Sequence, residues 1–271
     1  PIVQLANPVP PQVGLWMFPG EDFLWLVQGD RLRRYSVADG TLDGEWPTPP
    51  NGRVRNLFTT SEGVLLALHD AGAFAFTDGT WVPFPDVDGY EHKDVFDLVE
   101  IEPGRFIAAV EEGAEVWTSD SVRALELPKA DDVVSACISS DGNVWLGSFG
   151  LGLMLVNPDL SIDASFSQDI YSKLVAKVFE DSRGVVWVSF RRGGVASFKD
   201  GRWNNYTYAH GLPNIGTESI HEGPQGNLWL STNGGGVYHF QPDTDEPETQ
   251  IRTGERTVAS HGIASFTFTG W

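Results

Sequence analysis

Three tryptophans, Trp145, Trp187 and Trp229, stand 42 residues apart, and each sits in the same local sentence. The stretches read DGNVWLGSFGLGLMLV, SRGVVWVSFRRGGVASF and PQGNLWLSTNGGGVYHF. A turn with Gly leads to an apolar pair, then Trp, a small-residue loop, and another apolar run. Self-similarity at a fixed period near 40 means that one supersecondary unit is stacked repeatedly, which excludes most single-core folds.

Walked backward, the pattern weakens but persists. The Trp slot is held by Ile107, Leu66 and Trp25, and the intervals from the first slot to the last are 41, 41, 38, 42 and 42. Each copy opens on a β-rich run (VRNLFTT, VFDLVEI, VVSACIS, LVAKVFE) and a tight turn such as Ser140-Asp141-Gly142-Asn143. Gly or Asn there supplies the positive φ a hairpin needs. A second turn (Asp39-Gly40, Asp78-Gly79, Asp200-Gly201) introduces a short aromatic fourth strand. Four antiparallel strands per 40-residue unit predict an all-β β-propeller of four-stranded antiparallel blades. Six blades are visible, at about 13–50, 51–88, 89–129, 130–171, 172–213 and 214–243. The apolar runs alternate poorly, as expected of sheets buried on both faces. Trp25, Trp145, Trp187 and Trp229 are then structural, as wedges between adjacent sheets.

The two ends read differently. Residues 1–12 are expected to be the remnant of an upstream blade, and the chain an interior piece of a longer protein. From 244 to 271 a polar, Pro-containing linker leads to ASFTFTGW, whose strict alternation suggests the truncated start of an immunoglobulin-like β-sandwich. Trp271 lies 42 residues after Trp229, so a seventh blade is the competing reading.

The copies DGNVWLGSFGLGL, SRGVVWVSFRRGGV and QGNLWLSTNGGGVYHF resemble the two-component regulator propeller repeat, Asp-x-x-Gly-x-[LI]-Trp-[IV]-[GS]-[ST]-x-x-Gly-Gly-[LV]. HGLPN at 210–214 resembles the lead-in of that family. The match is strong over 131–243 and weaker over 13–128. The resemblance implies a seven-bladed sensing domain in the periplasmic or extracellular part of a bacterial membrane protein. It also implies a C-terminal β-sandwich and a downstream signalling module, a histidine kinase or diguanylate cyclase, in the same chain. Some members recognise oligosaccharides.

The net charge of −19 makes nucleic acid or an anionic membrane an unfavourable partner. The single cysteine, Cys137, can form no internal disulfide. No catalytic motif is present, the six histidines are scattered, and neither a metal nor a cofactor is expected. Function is expected in the loops between second and third strands, which vary while the framework repeats. They hold Asp30 and Arg31, His69 and Asp70, Glu111 and Glu112, Phe149, Arg191 and Arg192, and Asn233. Tyr90, His92, Lys93, Tyr171, Lys173 and Asn214 could join the rim. Two adjacent guanidiniums, Arg191 and Arg192, suit a carboxylate or sulfate. The leading expectation is a ligand-sensing ectodomain that binds a small polar ligand or oligosaccharide. Its expected partners are that ligand and a second copy of the chain in a homodimer. The alternatives are a protein-interaction scaffold propeller and a propeller polysaccharide lyase or hydrolase. For an enzyme, only Glu111, Glu112 and His69 are candidates.

Overall fold

The computed structural model describes residues 15–19, 22–163, 166, 170–192, 194–207, 212, 216–233 and 235–240. The chain divides into two compact units, Pro1–Gln241 and Pro242–Trp271, and every described residue belongs to the first. The expected N-terminal remnant at 1–12 and the sandwich start at 244–271 lie outside the described residues, as does Asn214.

Six antiparallel sheets follow one another along the chain. Blade 1 is β1 (Leu15–Pro19), β2 (Phe23–Gln28), β3 (Arg31–Ser36) and β4 (Leu42–Pro47). Blade 2 is β5 (Val54–Thr59), β6 (Leu65–His69), β7 (Gly72–Thr77) and β8 (Thr80–Phe84). Blade 3 is β9 (Val95–Glu102), β10 (Arg105–Val110), β11 (Gly113–Trp117) and β12 (Val122–Ala124). Blade 4 is β13 (Val133–Ile138), β14 (Val144–Ser148), β15 (Leu153–Val156) and β16 (Ile162–Asp163). Blade 5 is β17 (Val175–Glu180), β18 (Val186–Phe190), β19 (Val195–Lys199) and β20 (Arg202–Tyr206). Blade 6 shows β21 (Thr217–Glu222), β22 (Leu228–Thr232) and β23 (Gly236–Phe240). In every blade the strands pair in sequence order, and from blade 2 onward the first strands of successive blades lie against one another. The molecule is the all-β propeller that the repeat predicts.

The turns form where the sequence placed them. Gly142, Gly184 and Gly226 carry φ of +84°, +70° and +73° at the first turn of their blades. Asp78-Gly79 and Asp200-Gly201 each place two successive residues at positive φ, the signature of a type I′ hairpin.

Second strands are the most buried. All five residues of β6, β14 and β18 are buried, because each of these sheets has a neighbour on both faces. The core is accordingly split among the seams. One buried cluster joins each of the blade pairs 1–2, 2–3, 3–4, 4–5 and 5–6. Trp145 and Trp187 fill the last two seams, at 4% and 2% exposure. Trp25 is half-buried in the first. Trp229 departs from the wedge expectation: it is 44% exposed, and Val237 beside it on β23 is 66% exposed. Its slot faces the side of blade 6 where no described blade stands.

Candidate functional site

The face that carries the loops between second and third strands is built by one recurring clamp. The first residue after the second strand donates its N–H to a carbonyl just ahead of the first strand of the same blade. The pairs are Asp70 to Arg53 (3.3 Å), Glu111 to Asp94 (3.0 Å), Phe149 to Asp132 (3.1 Å), Arg191 to Leu174 (2.9 Å) and Asn233 to Gly216 (2.9 Å). Five of the candidate residues thus occupy equivalent places on a rigid frame, with side chains of five different kinds. In blade 1 the Asp30 carbonyl accepts from Thr48, and the Asp30 side chain stands in solvent.

Most charges on this face are already engaged. The Asp70 carboxylate accepts the Arg53 N–H at 2.8 Å and lies 3.6 Å from the Arg53 guanidinium. Burial opposes its ionisation, but that hydrogen bond and the neighbouring His69 and Arg55 hold it below the usual aspartate value. Arg55 grips Asp94 with two guanidinium nitrogens and lies over the Phe96 ring. Tyr90 (2.6 Å), Lys93 (2.9 Å) and the Trp117 indole (2.9 Å) all donate to the buried Glu115. Burial again works against that carboxylate, and these donors more than offset it, so its pKa is lowered. The Glu112 N–H bonds Asp132 at 2.9 Å, while Glu111 and Glu112 both face solvent.

Blade 5 is different. Lys173, Arg191 and Arg192 are exposed, and among the described residues none has a carboxylate partner. The Arg191 guanidinium stacks on the Phe149 ring of blade 4, 4.3 Å from its centroid. Phe149 is itself presented by a fixed loop, because Asp131 accepts from Ser148 Oγ (2.9 Å), Gly150 N (2.6 Å) and Leu151 N (2.6 Å). Tyr171, 60% exposed, precedes Lys173 on the approach to β17. The clamp between Arg191 and Leu174 draws the two segments together. Arg191, Arg192, Lys173, Tyr171 and Phe149 therefore share one corner. His69 does not reach the face. It is wholly buried at the end of β6, its ring edge-on to Phe74, and burial pushes its pKa down.

No protein-family model matches the sequence, and no curated protein is significantly similar to it. Solved structures are similar. The extracellular domain of BT3049 from B. thetaiotaomicron, named as a hybrid two component system, superposes with a TM-score of 0.66 at 21% identity. That match covers 87% of this chain and 34% of that one. The extracellular domain of BT4673 from the same organism, named as a one component system, gives 0.70 at 15%, over 92% and 38%. Virginiamycin B lyase from Staphylococcus aureus gives 0.66 at 15%, over 86% and 85%. The likeness is one of fold. The chain spans about a third of the two ectodomains' length.

Sequence reasoning missed a polar collar on the first strands. Each first strand from β5 to β21 has a register irregularity, and the residues that follow it are Asn56, Asp97, Ser135, Lys177 and Ser219. Bulges free backbone N–H groups, and the collar satisfies some of them across blades. Asp97 accepts from Ala136 N at 3.0 Å, and Ser135 Oγ from Val178 N at 3.0 Å. Lys177 of blade 5 reaches past blade 4 to Asp97 of blade 3 at 2.6 Å. The readable signal is the recurring apolar-x-polar triplet at the head of the first strands of blades 2 to 5: Val54-x-Asn56, Val95-x-Asp97, Val133-x-Ser135 and Val175-x-Lys177.

Proposed function

We propose that this chain is the sensing part of a bacterial signalling receptor, lying outside the cytoplasmic membrane. It binds a small anionic ligand or acidic oligosaccharide at the blade 4–5 corner of the loop face. One observation carries the reading. In a chain of net charge −19, Arg53, Arg55 and Lys93 on this face are paired with acids, while Lys173, Arg191 and Arg192 gather at one corner with no acid partner among the described residues. Guanidinium groups in that state suit a carboxylate or sulfate, and the exposed Tyr171 offers a ring for a sugar face. The two extracellular domains with the same fold support the sensor role by their names. The exposed Trp229 and Val237 of blade 6 favour, as a second reading, a propeller that associates with protein.

The test is thermal unfolding and calorimetric titration with paired oligosaccharides that differ only in sulfate or uronic carboxylate. An acidic member is expected to stabilise the chain, with an affinity that falls as salt rises. Arg191→Ala/Arg192→Ala is expected to abolish the response and leave the unliganded melting temperature in place. Identical behaviour of the double variant and the unaltered chain would remove the corner from consideration.

A further inference from the structure

Among the described residues three arginines lie over aromatic rings, and two of them show what such an arginine takes. Arg55 lies over Phe96, 5.1 Å from the ring centroid, and its Nε and Nη2 hold the two oxygens of Asp94, Nε at 2.5 Å. Arg34 lies over Phe23 at 4.4 Å, and its Nε and Nη2 both meet Asp43, Nε at 2.6 Å. In each, a ring packs on the guanidinium and a carboxylate takes its Nε–Nη2 edge. Arg191 lies over Phe149 at 4.3 Å, and no described residue brings it a carboxylate.

Arg191 is held more firmly than the cations beside it. Its N–H bonds the Leu174 carbonyl at 2.9 Å, and its own carbonyl oxygen lies where a Cβ on Gly216 would come within 2.3 Å of it. The side chain rests on Phe149, whose loop is itself fixed. The Phe149 N–H bonds the Asp132 carbonyl at 3.1 Å, and the Asp131 carboxylate accepts the N–H groups of Gly150 and Leu151, each at 2.6 Å. Arg192 and Lys173 are exposed, and neither head group has a partner among the described residues. A guanidinium already placed by a ring loses less freedom when it binds than one that must first be ordered.

We propose that Arg191 is the anchor of the blade 4–5 corner, that it takes a ligand carboxylate on its Nε–Nη2 edge as Arg55 takes Asp94, and that Phe149 is its positioning residue. This rests on the reading of the corner as an anion site and narrows the anion. A carboxylate shares its charge between two oxygens that lie in the plane of the fork, so both bonds are charge-assisted and neither oxygen is left over. A sulfate monoester spreads one charge over three oxygens, of which the fork reaches two. Arg192 and Lys173 draw any anion toward the corner and do not sort one from another.

The probes are phenylacetate and phenyl sulfate, monoanions of similar size, with phenylacetamide as the neutral counterpart. They are titrated into the full chain and read on the arginine Nε–H resonances by NMR. Phenylacetate is expected to shift the Arg191 Nε–H saturably and to bind about tenfold tighter than phenyl sulfate. Phenylacetamide is expected to leave that resonance in place. Phe149→Leu keeps every charge and is expected to weaken phenylacetate about tenfold, whereas Phe149→Tyr restores the ring and recovers the affinity. Arg191→Lys is expected to erase the preference for carboxylate and to lose more affinity than Arg192→Lys. Equal affinity for the two anions would overturn the proposal. So would the absence of a saturable response to phenylacetate at concentrations that fill a millimolar site, or identical binding by Phe149→Leu and Phe149→Tyr. Arg191→Ala/Arg192→Ala separates the two possible failures. If it responds like the unaltered chain, the corner is not an anion site. If it loses phenylacetate while Phe149→Leu keeps it, the corner stands and the role of Phe149 falls.

Discussion

Blades 5 and 6 carry nearly the same sentence, VVWVSF and NLWLST, yet their tryptophans end in opposite environments. Trp187 is 2% exposed, packed against Ile220, Leu228 and Leu230 of the next blade, with its indole N–H donated to Asp181 at 2.9 Å. Trp229 is 44% exposed, tilted against His239, and the residue at the Asp181 position is Gly223. Blade 5 also sends Ser182 to latch Glu222, whereas blade 6 has Pro224 in that slot, with neither an N–H nor a hydroxyl to give. Two devices that join blade 5 to its successor, the Trp187 packing and the Ser182 bonds, and the Asp181 anchor of its indole have no counterpart in blade 6 among the described residues. The motif builds a blade, and the neighbour decides what its tryptophan contributes.

The largest expected difference is in the ring itself. Trp187→Ala should cost about 3–5 kcal/mol, because it empties a packed seam that cannot collapse between two rigid sheets. Denaturant unfolding of the variant measures this. A loss below 1 kcal/mol would mean that the 5–6 seam contributes little, and the contrast with blade 6 would fail.

Asp181 comes next. Its side chain is fully inaccessible and accepts from Arg183, the Trp187 indole, and the N–H groups of Arg183 and Val185. Asp181→Ala should cost about 2–3 kcal/mol by leaving those donors unpaired. Burial alone would raise the Asp181 pKa, but the Arg183 and Trp187 hydrogen bonds with the backbone donors outweigh it, so the folded value lies below the ordinary one. The unfolded chain therefore takes up its proton first as pH falls. The stabilisation is complete above about pH 4 and is lost as pH drops through the folded value. The unaltered protein should weaken along that limb, and Asp181→Ala should show a shallower one. Equal slopes would contradict the lowered value.

Much of this contrast could be read from the sequence and much could not. The period placed the turns, the strands and the equivalent loop positions, because Gly at positive φ and buried apolar runs are local requirements. It placed Trp229 in the same class as Trp187, because a repeat motif reports its own blade and is silent about the next. The Ser–Glu latch was legible in principle, since Ser140 and Glu180 or Ser182 and Glu222 stand one period apart. It escaped because each residue is ordinary alone. The Asp97–Lys177 bridge was out of reach, since it depends on how far one sheet turns from another. At the loop face, the sequence separated framework from variation but could not show which cations were spent. Arg55 and Arg191 look alike as letters, and only the positions of Asp94 and Phe149 tell them apart.

A smaller effect tests the latch. Glu222→Ala removes the acceptor of Ser182 N and Oγ at an exposed edge, and should cost about 1 kcal/mol. Ser182→Ala in the same background should add almost nothing, because the pair acts as a unit. Additive losses in the double-mutant cycle would show that the two residues act separately.

The smallest expected effect is the sharpest test of the comparison. Trp229→Ala should change stability by no more than about 0.5 kcal/mol, the ordinary range for an exposed position, although it deletes the same residue type from the same motif slot as Trp187→Ala. The ring is 44% exposed and its N–H faces Gly223, so the substitution removes no buried partner and strands no donor. Unfolding of this 271-residue chain reads the term directly. A second arm extends it: the same substitution in a longer chain carrying further sequence at either end. If added sequence covers blade 6, the cost of Trp229→Ala should rise toward that of Trp187→Ala, while Trp187→Ala itself stays constant. A large cost already present in the 271-residue chain would mean that blade 6 is covered within it, and the two blades would then be equivalent after all.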